Sequence, residues 1–483
     1  MDSKVFEKLR ILSDGAKYDV SCATSGVDRT NIGRMGNACS AGICHSWAAD
    51  GRCISLLKVL FTNNCVYDCK YCVNRRSAPA ERASFEPEEL ADLAMEFYRR
   101  NYIEGLFLSS AVEVSPDNTA ERIFRCLYML REQYGFAGYI HAKIIPGVSP
   151  ELLHSLGMVA DRLSVNIELP SDKSLSLLAP QKKSAGIFGP MKQITQTLAE
   201  QRTLKGPGTM GKLAPLGNSV IAGDGTLSEM MSKNNALAPV SGKGRYKERF
   251  APGGQSTQMI VGASPESDRQ IIKVSESLYR TFKLKRVYFS AYIPVVESSL
   301  LPSVWTQPPL KREHRLYQAD WLLRFYGFTA DEILDEAQPF LDTDLDPKIS
   351  WALRHMELFP VELNKASLEE ILRVPGIGTV SAMRIVRQRR VAAVKYEDLK
   401  KIGVVLKRAR FFFTCSGKFY GGKEQDPVYI KNMVISPEDI RSQLAPKESR
   451  QISLFDLLDN DGVIRTEKAA GQSPGFGWQP GLG

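Results

Sequence analysis

The chain has no uninterrupted apolar stretch near the ~20 residues that a membrane-crossing helix needs, so no membrane partner is expected. Its first eight residues (Met-Asp-Ser-Lys-Val-Phe-Glu-Lys) lack the apolar core of a secretory leader. Cysteine occurs nine times in 483 residues, without the density of a disulfide scaffold. A reducing cytoplasm is the expected compartment. Charge is also undistinguished: 63 Lys and Arg against 54 Asp and Glu leave a net charge of +9, a mild pointer to a polyanionic partner. With 43% hydrophobic and 24% charged residues, the chain can build a sizeable core, and its length suggests about three domains.

What is present concentrates first at Cys65-Val-Tyr-Asp-Cys69-Lys-Tyr-Cys72. One short loop of this spacing can place three thiolates around one corner of a cubic iron–sulfur cluster. Electron-carrier clusters are closed by a fourth cysteine. Here Val73, Asn74, Arg75 and Arg76 follow, so no local fourth ligand exists and one iron stays open. A zinc site would want four ligands in paired groups. The Cys-x3-Cys-x2-Cys spacing, with aromatic Tyr71 before the last cysteine, resembles the radical S-adenosylmethionine (radical SAM) enzymes. The resemblance implies a 4Fe–4S cluster on Cys65, Cys69 and Cys72, S-adenosyl-L-methionine on the open iron, and a one-electron reductant as partner. It also implies reductive cleavage of the cofactor to a 5′-deoxyadenosyl radical.

Around this motif, strands and helices alternate. Apolar runs at 53–61, 105–109, 138–145, 161–169, 259–262 and 286–290 read as strands. Segments 86–101, 119–134, 149–157 and 265–282 carry helical periodicity, with Ser149 a plausible N-cap. This predicts an α/β fold, a parallel sheet with right-handed crossovers, resembling the partial (β/α)6 barrel of the radical SAM family. The barrel is expected over 61–308, led in by a cysteine-containing segment 1–60. A Gly-, Pro-, Ser- and Lys-rich stretch at 182–255 reads as a flexible insert whose one helix-like piece is 190–201. A helical connector (309–355), an all-α module (356–418) and a polar, flexible tail (433–483) follow. Trp321, Phe325, Tyr326 and Trp351 read as core.

Strand ends at the barrel mouth are where such folds keep their chemistry. Ser109 and Ser110 end the second strand, where many radical SAM proteins place a Gly-Gly-Glu-like turn; this chain has Ser-Ser-Ala. Ser164, Asn166 and Glu168 alternate onto one face of the fourth strand and suit cofactor hydroxyls or a carboxylate, or else form a polar layer satisfied internally. Gly262 and Glu266 loosely resemble the family's glycine-then-glutamate turn. His141 and Lys143 share a face of the third strand and could meet substrate. Cys22, Cys39, Cys44 and Cys53 could bind an auxiliary iron–sulfur cluster or zinc, or stay unligated. Cys126 and Cys415 read as core.

A second motif spans 364–386, with Val374-Pro375-Gly376-Ile377-Gly378 between two helical stretches. It resembles the helix-hairpin-helix of DNA-binding proteins, in which amides of the Gly376–Ile377–Gly378 turn would hold a phosphate at a helix N-terminus. From 384 to 410 there are ten Lys or Arg, among them Arg384, Arg387, Lys400 and Lys401, against two acids. Such a module would grip duplex DNA without reading bases, or would serve packing or protein contact. In the tail, Gln451-Ile-Ser-Leu454-Phe455 resembles the peptide that docks bacterial proteins onto the replication sliding clamp. Taken together, the motifs resemble the DNA modification or repair group of radical SAM proteins with a C-terminal helix-hairpin-helix. That resemblance implies a radical enzyme acting on a base in DNA. The alternatives are an RNA-modifying radical enzyme and a DNA-bound iron–sulfur protein used for redox sensing or structure.

Overall fold

The computed structural model describes residues 3–16, 55–203, 249–422 and 426–435. Six strands form one sheet: β1 Leu56–Leu60, β2 Gly105–Ser109, β3 Tyr139–Lys143, β4 Arg162–Ser164, β5 Gln255–Val261 and β6 Arg286–Ala291. They lie in sequence order, every neighbouring pair is parallel, and β1 and β6 are the two edges. Parallel neighbours require crossovers, and helices supply them. Around the sheet stand α1 Ser3–Gly15, α2 Pro87–Arg99, α3 Pro116–Tyr128, α4 Pro150–Val159, α5 Asp172–Leu178, α6 Ser184–Thr203, α7 Asp268–Phe282 and α8 Leu310–Phe325. This is the expected open half-barrel.

Local chemistry sets most helix starts. Proline occupies the first turn of α2, α3 and α4, where its missing N–H costs nothing. The Ser115 hydroxyl accepts the Asn118 N–H at 3.1 Å to cap α3, and Ser267 with Gln270 forms a capping box on α7. Ser149 precedes α4 in extended conformation, but its side chain makes no cap bond.

Two departures from the sequence expectation lie in the barrel. Helix α1 has no counterpart in that expectation; it packs on β1 and buries Leu9 and Leu12. The insert is ordered at both ends: α6 runs from Ser184, with Pro190 inside it, and buries Ile187, Met191 and Ile194 while packing on α4, α7 and β5. Gly186, Gly189 and Pro190 mask the helical pattern, and burial overrides their poor propensity. At the other end Phe250 is fully buried, and a Cβ on Gly157 of α4 would lie 2.0 Å from its ring. Strand β5 then begins at Gln255 rather than 259. Residues 204–248 lie outside the described residues.

Arg131 lies in the core beside α3, with its side chain 2% exposed. Its guanidinium donates to the carbonyls of Val159 (2.9 Å), Phe136 (2.7 Å) and Gly138 (2.8 Å) and to Asp161 (2.8 Å). The Asp161 carboxylate also accepts the Ile140 N–H at 2.8 Å, tying β3 to the start of β4. Removing one member strands a buried charge. Arg131→Met or Asp161→Asn should therefore destabilise the chain by about 3–5 kcal/mol, read as a lowered denaturant midpoint.

Beyond α8 the chain forms α9 Ala330–Ile333, α10 Pro347–Arg354, α11 Leu368–Arg373, α12 Thr379–Gln388, α13 Tyr396–Ile402, α14 Leu406–Ala409 and α15 Pro427–Val434. The module is not purely helical: β7 Val361–Glu362, β8 Phe413–Cys415 and β9 Lys418–Phe419 make a small sheet in that order. Cys415 is buried within it and Cys126 within α3, as expected. Trp351 is buried, but Trp321 and Phe325 are about half exposed and pack on each other at 4.4 Å. No helix of the described residues is long and apolar enough to cross a membrane.

Lys348 on α10 donates to the Ile377 carbonyl at 2.7 Å and sits 4.6 Å from the Tyr326 ring centroid. Burial pushes its ammonium down from 10.5 to about 7, against the pull of Asp346. The unfolded chain then binds more protons than the folded one between about pH 7 and 10.5. Stability from this group should rise with pH through that window and be lowest below it. Denaturant midpoints at pH 7 and pH 9 should show the rise, and Lys348→Met should flatten it.

Candidate active site

The loop after β1 carries the three cysteines and is held from several sides. The Arg82 guanidinium donates to four carbonyls of the loop: Asn63 (2.6 Å), Asn74 (2.9 Å), Arg75 (2.7 Å) and Ala78 (3.0 Å). The Asn63 side chain spans Glu81 and Ala83. Asp68 accepts from the Ser77 N–H and hydroxyl and from Lys70, and these bonds hold its carboxyl well below the usual range. Val66 N–H donates to the Val112 carbonyl and Lys70 N–H to that of Leu178, both at 2.7 Å. The loop is thus fastened to the ends of β2 and α5.

Cys65, Cys69 and Cys72 all line one cavity of about 340 Å³ at the C-terminal ends of the strands. Among the described residues no group of three His, Cys, Asp or Glu is placed to hold a single metal ion. In a cubic cluster each thiolate takes a different iron. The Tyr67 N–H donates to Cys65 Sγ at 3.4 Å, and the Asn74 N–H donates to Cys72, a bond that favours the Cys72 thiolate. Burial pushes Cys69 up and Cys72 to about 11, so iron binding must displace protons. The donor set fits a three-cysteine 4Fe–4S cluster held by Cys65, Cys69 and Cys72.

The other expected site residues divide. Ser110, Asn166 and Glu168 line the cavity with the cysteines. The Ser110 hydroxyl turns to the Ala111 carbonyl at 2.7 Å. Ser109 is buried beside the cavity, and its hydroxyl has no partner among the described residues. The fourth strand is regular over 162–164 only, so the expected alternation holds for two of its three polar residues. Ser164 and Asn166 face a small inner chamber together. Glu168 has φ +63°, left-handed for an L residue, and its backbone bonds Gln258 and Ile260 on β5. Lys143 lines both cavity and chamber. His141 lies deeper: it is buried against Phe107, and its ring nitrogens have no partner among the described residues.

Gly262 and Glu266 are not among the residues that line this cavity. Gly262 has φ +88°, and a Cβ there would meet the Pro309 ring at 2.7 Å. Burial works against the Glu266 carboxylate, but bonds from Ser171, Ser174 and Ser264 bring it below its ordinary range. Glu266 so pins the N-terminus of α5, whose far end straps the cysteine loop. Cys22, Cys39, Cys44 and Cys53, with any auxiliary metal, lie outside the described residues.

Sequence reasoning missed Arg82, Lys182, Gln258, Ser290, Tyr292 and Glu313, the last five of which also line the cavity. Tyr292 follows β6 and Glu313 opens α8, positions that barrel topology alone could have flagged. Lys182 was assigned to the insert. Instead its ammonium reaches Glu168 at 2.9 Å and the Tyr71 hydroxyl at 3.4 Å. Burial disfavours the Lys182 charge, but Glu168, Tyr71 and Cys69 outweigh it and push the group well above its ordinary range.

At the C-terminal module the hairpin turn joins α11 to α12 but packs inward. Gly376 has φ +80°, and a Cβ there would lie 2.7 Å from the Val405 carbonyl. Ile377 is 1% exposed. The Thr379 N–H, at the start of α12, donates to the Tyr326 hydroxyl. The turn is thus also a packing contact with the end of α8, with α10 and with α14, while Gly376 and Gly378 themselves stay half-buried. Arg384, Arg387, Lys400 and Lys401 are all exposed on the adjacent α12 and α13. Arg384 also donates to the Ile402 carbonyl at 3.1 Å. Gln451, Leu454 and Phe455 lie outside the described residues.

Residues 59–190 match the Radical SAM superfamily. This segment is a radical SAM domain, and members of that superfamily use a 4Fe–4S cluster and S-adenosylmethionine. No curated protein matches the chain. Among solved structures, HydG, a maturase of the FeFe-hydrogenase, aligns at 11% identity and TM-score 0.34 over 56% of this chain and 48% of its own. Methylornithine synthase (PylB) aligns at 11% and 0.36 over 56% and 61%. Coproporphyrinogen III oxidase (HemN) from Escherichia coli, a radical SAM enzyme, aligns at 12% and 0.29 over 63% and 58%. The chain thus spans 48% to 61% of the length of these relatives, a likeness too slight to bear on activity.

Alanine at Cys65, Cys69 or Cys72 should abolish the cluster's visible absorbance after anaerobic reconstitution and all 5′-deoxyadenosine formation. Full iron content and turnover in the triple variant would refute the assignment.

Proposed function

We propose that the chain is a radical SAM enzyme that modifies or repairs a base in DNA, held to the duplex by its C-terminal module. The observation that carries the nucleic-acid reading is the exposed basic surface of α12 and α13, on a module fastened to the barrel. Arg373 ties that module to the barrel side: it donates to the carbonyls of Tyr326 (2.8 Å) and Gly327 (3.2 Å) and to Glu332 (2.9 Å). Phosphate contacts of this kind position a duplex without reading its sequence.

When bound, the cluster and S-adenosylmethionine supply reductive cleavage of the cofactor and a hydrogen-abstracting radical. The chain's own residues do the rest. Cys65, Cys69 and Cys72 hold the cluster, and Arg82 keeps their loop in shape. Asn166 and Gln258, linked at 3.3 Å, offer polar groups to whatever fills the cavity. Apolar Ile293, Val295 and Leu310 line the cavity yet are 46%, 41% and 64% exposed, so they form its rim and suit a planar base. A bacterial sliding clamp would add a second tether through Gln451, Leu454 and Phe455.

Helix α8 relates the two sites. Leu310 and Glu313 line the cavity, while Tyr326, just past its other end, bonds the hairpin. Sixteen helical residues span about 24 Å.

The fourfold variant Arg384→Ala, Arg387→Ala, Lys400→Ala, Lys401→Ala should weaken duplex binding and lower the slope of log affinity against log salt by roughly 3–4. Unchanged affinity and slope would refute the basic surface as the grip. Nucleoside mass spectrometry after incubation with cofactor, reductant and either DNA or RNA separates the polymers. Absence of any cofactor cleavage would favour a redox or structural protein.

A further inference from the structure

We propose that Lys182, held by Glu168 beside the cysteine loop, is a positioning charge that sets how readily the cluster accepts its electron. The inference rests on the radical SAM reading of Cys65, Cys69 and Cys72. The Lys182–Glu168 pair is 2.9 Å apart, with side chains only 14% and 10% exposed, inside the cavity that the three cysteines line. Buried ion pairs are seldom kept for stability, since apolar replacements often serve as well or better. A pair in this place calls for another role.

Its position is fixed on both sides. Glu168 adopts φ +63° because its N–H donates to the Gln258 carbonyl at 3.0 Å and its carbonyl accepts the Ile260 N–H at 2.7 Å. Lys182 ends a strap that runs from α5 along the cysteine loop. Leu178 accepts the Lys70 N–H at 2.7 Å, and the Gln181 side chain accepts the Asp68 N–H at 3.3 Å. The Lys182 N–H returns to Ala179 at 2.9 Å. The ammonium faces the loop, 3.4 Å from the Tyr71 hydroxyl and 5.9 Å from its ring centroid. Tyr71 lies between Cys69 and Cys72 in the chain. The carboxylate comes from the segment that follows β4.

Reduction adds one negative charge to the cluster. A fixed cation nearby favours that step, and a fixed anion opposes it. In a partly buried site a unit charge a few ångströms away changes such an equilibrium tenfold or more, and tenfold is about 59 mV for one electron. The pair together is nearly neutral, so each member restrains the other's effect.

The test uses the full chain, reconstituted anaerobically and matched for iron and sulfide, without S-adenosylmethionine. Dithionite supplies the electrons and EPR counts the reduced cluster. Lys182→Met should be at least tenfold harder to reduce, about 59 mV lower. Glu168→Gln should shift in the opposite direction. Lys182→Arg should stay near the native value, and the Lys182→Met, Glu168→Gln double variant should return towards it. Should Lys182→Met load poorly, Lys182→Gln carries the same expectation. Unchanged potentials in both single variants, or shifts of the same sign, would overturn the inference. A native chain that assembles no cluster would overturn the underlying assignment instead.

Discussion

The site depends on one guanidinium. Arg82 gathers four main-chain carbonyls from a loop that has no regular secondary structure to satisfy them. Buried carbonyls need partners, and an arginine fork can serve several at once. Together with the Asn63 and Asp68 side chains it shapes the loop between β1 and α2, from which Cys65, Cys69 and Cys72 line one cavity. The N–H groups of Val66 and Lys70 then dock that shaped loop onto the ends of β2 and α5.

The half-barrel supplies the frame on which this loop rests. Parallel strands in sequence order bring all six C-terminal ends to one rim, so residues as distant as Cys65 and Glu313 meet around one cavity. The same topology makes the connections after β4 and β6 part of the site. Lys182, Tyr292 and the apolar rim belong to those connections, and none carries a recognisable motif. The C-terminal module is fastened to the outer side of this frame by Arg373 and Lys348, which converts a helical hairpin from an independent reader into a fixed neighbour.

Several roles moved between sequence and structure. Glu266 and Gly262 resemble family site residues by spacing; they stand outside the cavity lining, Glu266 bonded to Ser171 and Ser174 and Gly262 against Pro309. The hairpin turn expected as a phosphate cradle is also a packing contact, because Gly376 takes φ +80° against Val405 and Ala409 and Ile377 is buried; the exposed cations of α12 and α13 lie beside it. Glu168 keeps its place at the cavity, but through a left-handed backbone rather than through strand alternation.

The sequence by itself determined what is local. Cysteine spacing, the alternation of strand and helix, the proline and serine helix starts and the basic stretch at 384–410 all depend on neighbours in the chain. Period and spacing survive in one dimension. Tertiary structure alone decided which polar residues share a cavity, that α6 extends back through Pro190 to Ser184, and that Lys182 pairs with Glu168. Those outcomes depend on burial and on contacts between distant segments. A residue's electrostatic partner is set by the fold's geometry, and nothing within a few positions of Lys182 records it.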